Sequence, residues 1–194
     1  MTRSLGEALS LLADKGDINL ENSISRGIEK ESLRVSKNNT ISTADHPSSL
    51  GSALTNKYIT TDFSEALLEL ITPTHSSVED VLKNLDEICK YVIEETPETI
   101  WPSSIPCKIE NGDSIRLADY GTSNSGLLKT LYRSGLSYRY GSMMQTVSGI
   151  HYNFSFSDAF FENLRGEEDL QTFKNKSYLS LIRNFRRNAW MILY

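Results

Sequence analysis

The stretch from Arg26 to Val35 restricts the fold of this chain more than any other. Ile28, Lys30, Ser32 and Arg34 alternate with Glu29, Glu31, Leu33 and Val35. A period of two belongs to a β-strand, whose side chains point to one side at every second residue. Glu29 and Glu31 then share a face, with Cα atoms about 6.5–7 Å apart. Leu33 and Val35 continue that face, which makes it the buried one. Two carboxylates on the inward side of a strand repel each other and resist desolvation. A divalent cation is the simplest compensation. The competing reading is a twisted edge strand with both glutamates in water.

Other segments carry similar signals. Ala66-Leu67-Leu68-Glu69-Leu70-Ile71-Thr72 is almost wholly apolar and stops at Pro73. It reads as a central strand, and Glu69 is costly inside it unless paired. A helix carrying Glu65 and Glu69 at i,i+4 is the alternative; the shortness of the run favours the strand. Gln145 to Phe156 alternates again: Gln145, Val147, Gly149, His151, Asn153 and Ser155 share one side, and Ile150, Tyr152, Phe154 and Phe156 lie mostly on the other. Such a strand can bury its apolar side and present His151 and Asn153 to a cavity. A lone histidine is more often structural, but this one sits among amides and hydroxyls.

Helical periodicity appears over residues 3–15, from Ser76 or Ser77 to about Glu95, over 123–140 and from about Glu167 to the end. The second of these puts Val81, Leu82, Leu85, Ile88, Cys89 and Val92 on its apolar side. The third puts Leu127, Leu128, Leu131 and Tyr132 inward. Lys37-Asn38-Asn39 reads as a hairpin turn returning through Thr40-Ile41-Ser42. Residues 46–54 read as a loop with a helical turn, Lys57 to Thr61 as a β-rich run, Trp101 to Cys107 as an extended loop, and Asn111-Gly112 as a turn. Gly121 to Gly126 resembles the front of a P-loop, but Leu127 and Leu128 stand where Lys and Ser/Thr are needed, so that reading fails.

With 194 residues, 39% hydrophobic and 23% charged, the chain has material for one domain with a sizeable core. A net charge of −5 and the lack of a Lys/Arg run argue against a nucleic-acid partner. No apolar run is long enough to span a membrane, and Met1 to Glu7 does not open a signal peptide. Cys89 and Cys107 make no disulfide framework and read as reduced thiols. The expected location is the cytoplasm. Ala189-Trp190-Met191-Ile192-Leu193-Tyr194 ends on apolar residues without a helix stop, as expected of a chain cut within its fold or docking its end on a partner.

Glu29, Glu31 and Glu69, with Asp62 or Glu65 and His151, fall on separate strands or strand ends. Antiparallel pairing can gather them on one sheet face. Oxygen donors with one imidazole suit Mg²⁺ or Mn²⁺. Such ions hold nucleotide phosphates during phosphoryl transfer. Spacing alone leads to a divalent-metal, phosphate-handling site on an antiparallel sheet.

The chain also resembles the N-terminal part of glutamate–cysteine ligases of the proteobacterial type. The resemblance is carried by Arg26-Gly27-Ile28-Glu29-Lys30-Glu31-Ser32-Leu33-Arg34-Val35, Gly51-Ser52-Ala53-Leu54-Thr55, Ile59 to Glu69, Trp101-Pro102, Tyr120-Gly121-Thr122-Ser123-Asn124, Leu131-Tyr132-Arg133 and Met144 to Phe154, in order. It implies an α+β, glutamine-synthetase-like fold: a curved, mainly antiparallel sheet with flanking helices, residues 1–194 forming one incomplete, truncated domain. It implies ATP-dependent joining of the glutamate γ-carboxyl to the cysteine amine through a γ-glutamyl phosphate, the first step of glutathione biosynthesis. Glu29, Glu31, Asp62, Glu69 and His151 would ligate Mg²⁺ or Mn²⁺. Phe63, Tyr132, Leu136, Gln145 and Asn153 would lie around the amino-acid pockets. Glutamate, cysteine and ATP are the implied partners. Cys107 matches a family cysteine that can form a disulfide, but no partner stands where the family would place it. The family puts a further metal carboxylate and substrate-binding arginines in a C-terminal part that this sequence lacks. The 194 residues alone are therefore expected to be inactive, with the apolar end packing on that part. Two other readings compete: a non-catalytic remnant acting as a binding module, and a metal-dependent hydrolase using the same carboxylates.

Overall fold

The alternation in the opening stretch is realised as strand β1, Ile24–Val35. In this computed structural model the described residues are Gly6, Ser10 and 23–193, with Asp113 described by its backbone. Of the helix expected over residues 3–15, Gly6 and Ser10 are described and are helical, and the rest lies outside the described residues. The chain groups into two compact units, residues 26–153 and residues 1–25 with 154–194.

The first unit is built on a sheet. Besides β1 from Arg26 on, it contains β2 (Ile59–Thr61), β3 (Leu67–Ile71), β4 (Thr99–Ile100) and β5 (Ile150–Phe156) as far as Asn153. The order is β2-β3-β1-β4, and β5 also pairs with β1. The pairings β1–β3, β2–β3 and β1–β4 are antiparallel. This is the α+β, antiparallel architecture expected from the sequence. The run 66–72 is a strand, so the helical alternative for Glu65 and Glu69 falls. Asn39 takes φ 59° in the turn after β1, as its residue type allows. Thr40 and Ile41 form only isolated bridges after it.

The two sides of the sheet have different fates. On one side Leu33, Val35 and Leu67 join Phe63, Ala66, Ile41, Cys107 and Ile115 in a core. On the other, Leu68, Leu70 and Ile59 pack with Leu50 and Val92. Val92 belongs to helix α1, Val78–Glu95. Ser77 caps α1 by accepting from Asp80 N at 3.2 Å, and Glu79 and Asp80 lie at its positive end. Val81 and Val92 are buried. Leu82, expected inward, is 52% exposed because it lies off the 81–85–88–92 line that meets the sheet. Cys89 and Cys107 are free thiols.

Helix α2, Asn124–Tyr140, is capped by Ser123. Its orientation corrects the sequence reading. Leu127, Leu128, Leu131 and Tyr132 are all more than half exposed. The side that meets the unit is polar instead. Thr130 donates to Ala118 O, Arg133 Nε donates to Asp62 O, and the Arg133 guanidinium lies 4.6 Å from the Tyr120 ring centroid. Leu136 completes this side against the Phe63 core. Gly126 sits where a Cβ would stand 2.4 Å from Tyr120 O and 2.8 Å from Gly121 O, both backbone. Replacing Gly126 by Ala is expected to cost about 1–3 kcal/mol, the usual range for overpacking. Urea denaturation followed by circular dichroism measures it, and an unchanged midpoint would refute the close approach.

The second alternating stretch is shorter than expected. Residues Met143–Thr146 form a 3-10 turn, with Gln145 N donating to Ser142 O and Thr146 Oγ1 donating to Met143 O. The strand therefore starts at Ile150 rather than Gln145. Its apolar side is not buried: Ile150 is 64% exposed.

In the second unit, the described part holds α3 (Asp158–Glu162), α4 (Leu170–Asn188) and α5 (Trp190–Leu193). Ser157 and Asp169 cap the first two. The helix expected from Glu167 thus starts at Leu170, where its cap places it, and breaks at Ala189. Phe161 is the buried centre of an aromatic cluster with Phe156, Phe160, Phe173 and Tyr178. Trp190, Met191, Ile192 and Leu193 are exposed. Among the described residues no helix is long and apolar enough to cross a membrane.

Candidate metal centre

The strand register decides which acids meet. Glu31 on β1 lies directly opposite Glu69 on β3, and Thr60 on β2 lies opposite Glu69 on the other side. Side chains of opposed residues project from the same face, with Cβ atoms about 4.5–5.5 Å apart. Glu29 lies two residues from Glu31 and shares that face. The hydrophobic side of β1 and β3, at Leu33 and Leu67, continues directly into this acidic patch.

β5 brings the imidazole. Glu31 N donates to Gly149 O at 3.0 Å, and Gly149 N donates to Glu31 Oε2 at 2.7 Å. Two residues on, His151 Nδ1 lies 3.1 Å from Glu29 Oε2, and His151 Nε2 lies 3.9 Å from Glu31 Oε1. One ligand atom from each of Glu29, Glu69 and His151 lies within 4.8 Å of the other two. Glu31 is 9% exposed at its side chain, Glu29 31% and His151 55%, so the patch runs from sheet interior to solvent.

The proton affinities record the crowding. Burial first, then the negative charges of Asp62, Glu29 and Glu31, push the Glu69 carboxyl up to about 7 against a lowering by His151. Burial also pushes Glu31 up, against the Gly149 N–H that favours its charged form. His151 is raised, first by its hydrogen bond to Glu29. All three groups bind a proton more tightly folded than unfolded. Their contribution to stability is therefore present at low pH and lost as pH rises through the folded values. The metal-free chain is expected to show a melting temperature that falls from about pH 5 to about pH 8. Glu69→Gln should flatten that slope, because it removes the most shifted group. An equal slope in the variant would contradict the assignment.

Other expected site residues are placed as follows. Asp62 follows β2, and its charge is felt at both Glu31 and Glu69, but it is outside the three-residue group. Glu65 is buried and turned away, with Oε1 accepting from Asp119 N at 2.8 Å. Phe63 is 1% exposed in the core, with Leu136 against the same core. Tyr132 is exposed one turn before Leu136 on α2. Gln145 lies in the 3-10 turn, half-buried, and Asn153 is exposed on β5 two residues after His151. Sequence reasoning missed Gly149 as the donor that fixes Glu31. It also missed Arg133, which ties α2 to the backbone of Asp62. Gly149 stood inside the alternating run, yet nothing in the sequence sets the β1–β5 register.

The site's donor chemistry fits a hard divalent ion: carboxylate oxygens dominate, with one imidazole. Burial and the neighbouring charges of Asp62, Glu29 and Glu31 hold Glu69 up at about 7, and a bound cation would offset both.

Comparison with known proteins bears on the same residues. A family model described as glutamate-cysteine ligase matches residues 9–194. The glutamate–cysteine ligase of Saccharophagus degradans is 52% identical over 176 residues, covering 88% of this chain and 33% of its own length. That of Pseudoalteromonas translucida is 46% identical over 198 residues, covering 100% of this chain and 38% of its own. A crystal structure of the glutamate–cysteine ligase from Francisella tularensis in complex with AMP superposes with a TM-score of 0.80 at 39% identity, over 87% of this chain and 34% of that one. A bifunctional glutathione synthetase from Pasteurella multocida gives 0.82 at 35% identity, over 94% and 24%. The chain spans about a third of the length of the curated relatives it matches.

Proposed function

The chain belongs to the glutamate-cysteine ligase family, and on that premise we propose that it supplies the divalent-ion wall of an ATP-dependent carboxylate–amine ligase site. The observation that carries this is the convergence of Glu29, Glu69 and His151 within 4.8 Å, on a sheet face where Glu31 stands opposite Glu69. The AMP bound to the Francisella tularensis relative supports an adenine nucleotide as co-substrate.

The reaction joins the glutamate γ-carboxylate to the cysteine amine. The γ-carboxylate attacks the γ-phosphorus of ATP, the bond to ADP breaks, and a γ-glutamyl phosphate forms. The cysteine amine then attacks the acyl carbon, and phosphate leaves with its bonding electrons. When bound, Mg²⁺ or Mn²⁺ offsets the negative charge of the phosphates as the phosphoryl group moves. Glu29, Glu31, Glu69 and His151, with Asp62 beside them, would hold the cation on the sheet. The Glu29 carboxylate orients the His151 ring, and the Gly149 N–H fixes one Glu31 oxygen. The remaining sheet face is apolar around Leu33 and Leu67, which lowers the local dielectric and strengthens each charge contact. Tyr132, Leu136 and Asn153 lie on α2 and β5 as walls for the amino acids, with Phe63 beneath Leu136 and Gln145 ahead of β5. Residues 1–194 form part of one catalytic domain, acting in the cytoplasm, and the exposed α5 packs on the C-terminal part found in longer relatives.

The competing reading is an ion-binding, non-catalytic module using the same acidic face. One assay separates the two. Phosphate release requiring ATP, Mg²⁺, glutamate and cysteine is measured for the 194-residue chain and for a hybrid extended by the remaining sequence of the Saccharophagus degradans relative. The ligase reading expects turnover in the hybrid. No turnover in either form would sink it.

A further inference from the structure

We propose that Gly149 is a positioning residue of this site: its bare Cα leaves room for the His151 ring to lie against Glu29, while its N–H holds Glu31. The inference rests on the divalent-ion reading above.

Gly149 needs another reason to be glycine than its backbone conformation. The described glycines with positive φ are Gly51, Gly121, Gly141 and Gly166, and Gly149 is not among them. The reason is close approach. A Cβ at 149 would stand 3.2 Å from His151 Nε2, 3.5 Å from His151 Cδ2 and 3.6 Å from Glu31 Oε2. The first of these requires one partner to give by a few tenths of an ångström. The backbone at 149 is fixed to β1 by two bonds, Glu31 N to Gly149 O and Gly149 N to Glu31 Oε2. The imidazole, 55% exposed, is the partner that can move.

The consequence is specific to the ion. Alanine keeps the N–H, so Glu31 Oε2 stays tied and Oε1 stays turned toward the His151 edge. What alanine displaces is the ring, and with it the 3.1 Å contact of His151 Nδ1 with Glu29 Oε2. An orienting contact around a metal ligand is worth about 10–100-fold in metal affinity.

The test is Mn²⁺ titration calorimetry on the 194-residue chain, its Gly149→Ala variant and a Gly27→Ala control. Gly27 lies on β1, where a Cβ would meet only ordinary contacts from 3.6 Å outward. The expected result is Mn²⁺ binding weakened about tenfold or more in Gly149→Ala, and wild-type affinity in Gly27→Ala. The melting temperature of Gly149→Ala should stay within a few degrees of wild type. In the metal-free chain, one of the three histidine ring signals should shift in the NMR spectrum of Gly149→Ala. Equal Mn²⁺ affinity in wild type and Gly149→Ala would overturn the proposal, as would three unmoved ring signals. Loss of cooperative melting would also overturn it, since the proposal requires the ring rather than the sheet to yield. Absence of Mn²⁺ binding in the wild-type chain is a separate failure: it sinks the divalent-ion reading, and this inference with it.

Discussion

Replacing Glu29 by Gln is expected to lower kcat/KM by at least about 100-fold in the hybrid extended to the length of its relatives, with Mn²⁺ affinity falling in parallel. The change keeps shape and removes charge. A carboxamide oxygen is a poorer donor to a hard cation than a carboxylate. It is also a weaker partner for the His151 ring, which Glu29 Oε2 holds at 3.1 Å and whose proton affinity it raises. The loss should therefore exceed that of an orienting contact, which is worth about 10–100-fold. Folding should be little affected, because Glu29 is 31% exposed and its removal relieves repulsion at Glu69. The measurement is phosphate release dependent on both amino acids, with a melting curve beside it. Unchanged kinetics would remove Glu29 from the site.

The largest effect on stability is expected at Arg34. Its side chain is 1% exposed, on the opposite sheet face from the acidic patch. Arg34 pairs with Glu98 and donates to Ala44 O at 2.8 Å and Glu65 O at 2.9 Å. Ser42 donates to the other Glu98 oxygen. Arg34→Met keeps the stem and strands a carboxylate that is itself only 15% exposed. Breaking a buried pair from one side costs about 3–5 kcal/mol. Urea denaturation of the 194-residue chain measures it. Adding Glu98→Gln to the same chain should recover part of the loss, because the stranded charge goes. A single variant as stable as wild type would show that the pair contributes nothing net.

Legibility in the sequence followed the strength of the local pattern. β1 and β3 could be read because alternation and a short apolar run leave few alternatives. Glu29 and Glu31 could be assigned to one face for the same reason. What the sequence could not supply is register: that Glu31 faces Glu69, or that Gly149 faces Glu31, follows from long-range pairing that no local period encodes. α2 misled because its leucines outnumber its polar residues on one side. The helix is seated instead by Thr130, Arg133 and Leu136, through a hydrogen bond to Ala118, a bond to Asp62 and contact with the core. The stretch before Ile150 misled because alternation of residue types persisted where the backbone had already turned into a 3-10 segment. The family resemblance supplied the chemistry that spacing left open, and the family match covers residues 9–194.

A cation at the face shared by β1, β3 and β5 is most directly tested by one titration. Mn²⁺ is added to the 194-residue chain at about pH 8, above the Glu69 value of about 7. One saturable site is expected, competed by Mg²⁺ and lost in Glu69→Gln; a heat no larger in the wild-type chain than in that variant would show that no cation is held there.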